Sequence, residues 1–218
     1  PYITQTYYMA ADRGAGSILP FMSSAALKEV TRTSNIDAAI AVIFDAGGTY
    51  PLRITGPEQN PERRTVWSSA YMDPAGKGLM VSVYAPVWIN ERFQGLTGCD
   101  ITLDSLNRML APDTEPGPVS TMVVDQAGTV LADSQGRMKQ RNGLVHIKDL
   151  APEISLPKGL SYQSDTLARR NGLAMLARTI DRTGWTIIAM ARDADIHARQ
   201  GSGLAAASVG ALQTLASG

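Results

Sequence analysis

The chain has 218 residues, 44% of them hydrophobic, and balances 20 basic against 20 acidic side chains for a formal net charge of zero. That length holds one large domain or two of roughly 100 residues each, and a neutral chain is a poor match for a phosphate backbone, so nucleic acid is not the expected partner. A single cysteine, Cys99, excludes an intramolecular disulfide and any multi-cysteine metal site; His146 and His197 stand in no paired-histidine metal pattern; and no apolar run reaches the ~18 residues of a membrane span.

The first predicted element in chain order is a helix in Ser23 to Arg32, SSAALKEVTR, a run of strong helix formers, so residues 1–35 read as a helical lead. The glycine fragment GAGS from Gly14 has no predicted strand before it and reads as structural. Ala41 to Leu52, AVIFDAGGTYPL, passes from apolar residues through Asp45 and Gly48 to further apolar residues, the pattern of a strand, a tight turn and a returning strand. Met122 to Ala132, MVVDQAGTVLA, repeats the pattern with Asp125 and Gly128. Each is followed by a longer hairpin. The first is GLMVSVYAPVWI, the turn NER and FQGLTGCDITL; the second is NGLAMLARTI, DRTG and WTIIAMA.

The same order twice predicts a duplicated sheet domain. Between the copies, TLDSLNRML places Leu103, Leu106 and Leu110 on one face of a short helix, and Ala111 to Ser120, with three prolines and a glycine, is a linker. The expected class is α+β, with a helical lead over 1–35, antiparallel-sheet domains over 36–112 and 118–192, and a helical tail over 193–218. The first residue is proline and no signal peptide is visible, which suggests a piece of a longer protein.

Enzyme motifs are missing: no nucleophile elbow, no phosphate loop and no paired-histidine zinc signature, so no cofactor and no catalytic residue is expected. The stretch WSSAYMDPAGKG carries more than its turn requires. Asp73, Pro74 and Gly76 suffice for a turn, yet Trp67 and Tyr71 precede them. In an extended chain Trp67, Tyr71 and Asp73 project to one face, because side chains alternate with period two. An indole, a phenol and a carboxylate together suit a cationic or zwitterionic small molecule; a packed Trp and a turn-capping Asp73 are the plainer alternative. Asp100, inside the apolar run LTGCDITL, must find donors or a counter-charge.

Taken together, NPERRTVWSSAYMDPAGKGLMVSVYAPVWINERFQGLTGCDITLDSL resembles the membrane-distal half of a double Cache sensor domain, the extracytoplasmic module of bacterial chemoreceptors, sensor histidine kinases and diguanylate cyclases. MVVDQAGTVLA and GWTIIAMARDADI resemble the membrane-proximal half. The resemblance implies tandem PAS-like domains, each a central antiparallel sheet with flanking helices, on an N-terminal helix, with a small ligand in the distal one. It also implies a homodimer in the full-length receptor, anchored to the membrane through segments outside this chain. Tyr71, Asp73 and Asp100 match the positions that hold a ligand ammonium in members that bind amino acids. The carboxylate-holding pattern, R-x-W, is met at Arg53 but has Thr55 in place of the Trp, with Arg63 and Arg64 as substitutes. The expected ligand-binding set is Trp67, Tyr71, Asp73, Asp100, Arg53, Arg64 and Tyr84, for an amino acid, an amine or a small carboxylate. A ligand-free dimerisation or spacer module is the alternative.

Overall fold

The computed structural model describes residues 3–12, 16–20, 23–44, 51–73, 76–110, 119–140, 143–150, 166–170 and 172–200. Residues 1–106 with 142–144 form one compact unit, and 107–141 with 145–218 form a second.

The first unit opens with strands β1 (Gln5–Ala10) and β2 (Gly16–Leu19). Helices α1 (Ser24–Thr31), α2 (Ile36–Phe44) and α3 (Pro51–Thr55) follow. Two short strands, β3 (Val66–Trp67) and β4 (Tyr71–Met72), lead into the long hairpin of β5 (Leu79–Ile89) and β6 (Arg92–Thr102). The sheet order is β2-β1-β6-β5-β3, with β4 also on β5, and every pairing is antiparallel. The hairpin turns at Asn90 and Glu91, both at positive φ (49° and 60°), the twist that matches two flanking strands. Its apolar core gathers Met9, Leu52, Tyr84 and Leu96, with Tyr7, Ile54 and Phe93 packed against them.

Two sequence expectations fail here. Among the described residues of the lead over 1–35, only α1 is helical; Gln5–Ala10 and Gly16–Leu19 pair as strands at one edge of the sheet, because QTYYMA is rich in the aromatic and β-branched residues that suit a pleated surface. The fragment GAGS therefore does follow a strand, and Gly16 and Ser17 begin β2. The strands expected in Ala41 to Leu52 are instead the end of α2 and the start of α3; the turn between them lies outside the described residues. Asn35 caps α2 by accepting the Ala38 N–H at 2.8 Å, and Pro51 opens α3 at the position where a missing N–H costs nothing.

Helix α4 (Leu103–Leu110) forms as expected; the linker expected after it lies outside the described residues from 111 to 118. The second sheet contains β7 (Ser120–Val124), β8 (Val130–Asp133), β9 (Thr166–Arg170), β10 (Leu173–Ile180) and β11 (Trp185–Arg192), in the order β8-β7-β11-β10-β9. Asp125 caps the β7–β8 turn as its sequence predicts, its Oδ1 accepting the N–H groups of Ala127 (2.9 Å) and Thr129 (2.8 Å), while Gly128 takes φ 83°. Helix α5 (Ile147–Leu150) and α6 (Asp193–Gln200) complete the described chain; residues 201–218 of the expected tail lie outside it. The two sheets share one strand plan. The counterpart of β7–β8 is β1–β2, not the segment Ala41 to Leu52.

Candidate functional site

Strand pairing lines up three residues across the first sheet: Gln5 on β1, Asp100 on β6 and Ser82 on β5 stand opposite one another. Tyr7, Gly98 and Tyr84 form the next row on the same face, since residues two apart share a face. Asp100 is 3% exposed and Ser82 fully buried. The Asp100 carboxylate accepts from Ser82 Oγ at 2.7 Å and from the Tyr7 hydroxyl at 2.9 Å, both on Oδ1. Tyr71, buried on β4, lies 2.7 Å from Ser82 Oγ; because Ser82 gives its one proton to Asp100, Tyr71 is the donor in that contact. Ser82 is itself fixed by its backbone N–H donating to Ser68 Oγ at 2.9 Å. Oδ2 of Asp100 has no hydrogen-bond partner among the described residues.

The protons of this chain all point one way, from Tyr71 to Ser82 to Asp100 and from Tyr7 to Asp100, toward a single carboxylate. Burial pushes Asp100 above the usual carboxylate range, while the Ser82 and Tyr7 hydrogen bonds oppose that rise; the neighbouring Asp73 adds to it and Lys77 offsets it. Burial also raises the phenols of Tyr7, Tyr71 and Tyr84, with Asp100 adding to the rise, so all three stay neutral donors at ordinary pH. The buried carboxylate of the second sheet is served differently. Asp133 takes a two-pronged contact from Arg137, 2.7 Å and 3.1 Å, plus the Arg137 backbone N–H at 2.8 Å. Asp133 has a cation of its own and Asp100 has only neutral donors.

Of the residues expected from sequence, Tyr71, Tyr84 and Asp100 are brought together. Asp73 is buried next to them but also caps its turn, accepting the Lys77 N–H at 2.9 Å, as the plainer reading has it. Lys77 reaches across to Gln5 Oε1. Trp67 does not share their face. It pairs with Val83 whereas Tyr71 pairs with Met80, four steps on one strand against three on the other, so one extra residue sits between β3 and β4. That extra residue turns Trp67 to the opposite side of the sheet. Arg53 and Arg64 are exposed, and Arg64 pairs with Glu62 at 2.5 Å. Thr55, in the place of the expected Trp, is fully buried and donates its hydroxyl to the Pro51 carbonyl at 2.8 Å. Arg63 lies over the Trp88 ring, 4.2 Å from its centre, and pairs with Glu91. The sequence reading missed Tyr7, Ser68 and Ser82. The first was lost with the helical lead; the alternation in SVY on β5 was the available signal for Ser82.

An antiparallel sheet in the order 2-1-5-4-3 counted along each unit, occurring twice and flanked by short helices, defines a tandem PAS-like fold, and the first copy carries a buried polar cluster. Residues 55–108 match the family of the methyl-accepting chemotaxis protein-like, first PDC sensor domain. The chain takes the fold of Cache-type chemoreceptor ligand-binding domains. It superposes on that of the Pseudomonas aeruginosa amino acid chemoreceptor PctB in complex with L-arginine with a TM-score of 0.56 at 15% identity, covering 98% of this chain and 77% of that one. The Pseudomonas fluorescens chemoreceptor CtaA in complex with L-isoleucine gives 0.53 at 15% identity, over 87% and 69%. The P. aeruginosa chemoreceptor PctC in complex with GABA gives 0.53 at 14% identity, over 87% and 74%. No curated protein sequence matches the chain.

Proposed function

We propose that the chain is the extracytoplasmic sensor module of a bacterial transmembrane receptor, and that the Tyr71, Asp73 and Asp100 side of its first sheet takes a small molecule through an ammonium group. The observation that carries this reading is Asp100: a buried carboxylate beside a second carboxylate, met only by hydroxyls, gains its missing counter-charge when a cationic group binds. The structural relatives support it, since those proteins were solved with L-arginine, L-isoleucine and GABA. A carboxylate on the ligand is a weaker requirement. Arg53 and Arg64 lie at the surface and Thr55 spends its hydroxyl within α3. An amine or an amino acid held mainly by its ammonium fits best.

In the full-length receptor the module forms a homodimer and is anchored through segments outside this chain; no described helix is long and apolar enough to cross a membrane. It acts by binding, with no catalytic step. A ligand acts on signalling through its differential affinity for two arrangements of the module. The spacer alternative is favoured by one observation, the satisfied Oδ1 of Asp100. A thermal-shift series with L-arginine, L-isoleucine, GABA, methylamine and pyruvate separates the two. A true ligand at about 100 times its dissociation constant stabilises by about 2.7 kcal/mol; a spacer shows no shift with any of the five.

A further inference from the structure

Tyr7 and Gly98 face each other across β1 and β6. A Cβ added at Gly98 would meet the Tyr7 ring at 2.5 Å, closer than real Cβ contacts come. The ring therefore lies flat over a position that only glycine leaves empty, and this lets the hydroxyl reach Asp100, the next residue of β6 on that face. The ring is also half of a tilted aromatic pair with Tyr84, 6.5 Å between centres, so its direction is fixed from two sides. Both protein donors to Asp100 land on Oδ1, one from β5 and one from β1.

We infer that Tyr7 is a positioning residue for the ligand site: locked over Gly98, its hydroxyl holds Asp100 in one orientation, so that Oδ2 remains for the ligand ammonium. The ligand part of this rests on the function proposed above; the part concerning Asp100 itself does not. The groups that face Asp100 are Tyr7 on β1, Tyr71 on β4, Ser82 and Tyr84 on β5, and Asp73 and Lys77 from the turn before β5. Of these, only Lys77 is cationic, and its ammonium is engaged with Gln5. The Ser82 and Tyr7 hydroxyls, ahead of the Lys77 charge, are what oppose burial and favour the ionised carboxylate. Removing the one from β1 favours its protonation.

The test is a carboxyl carbon-13 NMR titration of Asp100 in the full chain, with Tyr7→Phe and Gly98→Ala beside the wild type. Tyr7→Phe keeps the ring and removes only the donor; Gly98→Ala keeps the donor and pushes the ring aside. Both variants should move the Asp100 titration to higher pH, and the double variant should move it no further than the larger single. If Tyr7→Phe does not fold, Gly98→Ala alone decides the matter. With L-arginine and GABA as calorimetric probes, Tyr7→Phe should bind about tenfold more weakly. An Asp100 titration unmoved in either variant overturns the inference, even if the wild type binds the probes. A titration that moves while the wild type binds neither probe upholds the role of Tyr7 and counts against the ammonium-binding function.

Discussion

At Asp100 a protein has placed a charge where stability alone argues against it. Its folded-state pKa lies above its ordinary value, so the native form binds a proton more readily than the unfolded chain. Stability therefore falls as pH rises from the ordinary carboxylate range through the raised value, and stays lowered above it. Asp100→Asn keeps an acceptor for Ser82 and Tyr7 without the charge. It should raise the thermal midpoint of the unliganded chain at neutral pH while weakening an ammonium ligand by about 1.5–3 kcal/mol, roughly tenfold to a hundredfold. A lowered midpoint would show the charge to be structural. Asp100→Ala is the poorer experiment, because it strands two buried hydroxyls at about 1–3 kcal/mol each. The pH dependence of binding runs the opposite way: affinity drops on acidification through the raised value, at higher pH than for an exposed aspartate. Titration calorimetry across an acid-to-neutral series reads this directly. Trp67→Phe, on the other face of the sheet, should leave affinity unchanged; a loss would return the indole to the site.

At the scale of elements, Asp100 and Asp133 divide the labour between the sheets. Asp133 is paired to Arg137, which also reaches Ser120, so it ties β8 to the start of β7. Arg137→Ala leaves a buried charge unpaired and should destabilise the second sheet by about 3 kcal/mol, measurable as a lower urea midpoint. Gly128 tests the neighbouring turn: it holds φ 83° and a Cβ would stand 2.6 Å from His146 Nε2. Gly128→Ala should therefore cost about 1 kcal/mol or more, and a midpoint equal to the wild type would contradict the geometry. Which elements were legible in the sequence follows from the strength of local signals. Alternation over eleven residues marks β5 and β6, and the Asp125 and Gly128 turn chemistry marks the β7–β8 hairpin. AVIF, Ala41 to Phe44, was misread because a short apolar run suits a buried strand as well as a helix, and the deciding cap, Asn35, stands one residue before the start of α2. Of the buried cluster on the first sheet, Tyr71, Tyr84 and Asp100 were legible. Trp67 was not, since a one-residue slip between two short strands leaves no mark on composition.

At the scale of the whole molecule, the repeated strand plan was visible but attached to the wrong segment. YMAADRGAGSIL and TMVVDQAGTVL are the matching hairpins, each with an aspartate after an apolar stretch and glycine before the return. The first was hidden by a composition that reads as a lead into a helix. The consequence reaches function, because Tyr7 belongs to that hairpin and contributes one of the two donors on Asp100. The central claim is that this cluster on the first sheet receives the ligand. The most direct test is amide chemical-shift mapping of the isotope-labelled chain during titration with whichever thermal-shift compound stabilises it most. Shifts should concentrate at Tyr7, Tyr71, Ser82, Gly98 and Asp100 and be absent in Asp100→Asn. Shifts confined to the second sheet, or equally large in Asp100→Asn, would contradict the account.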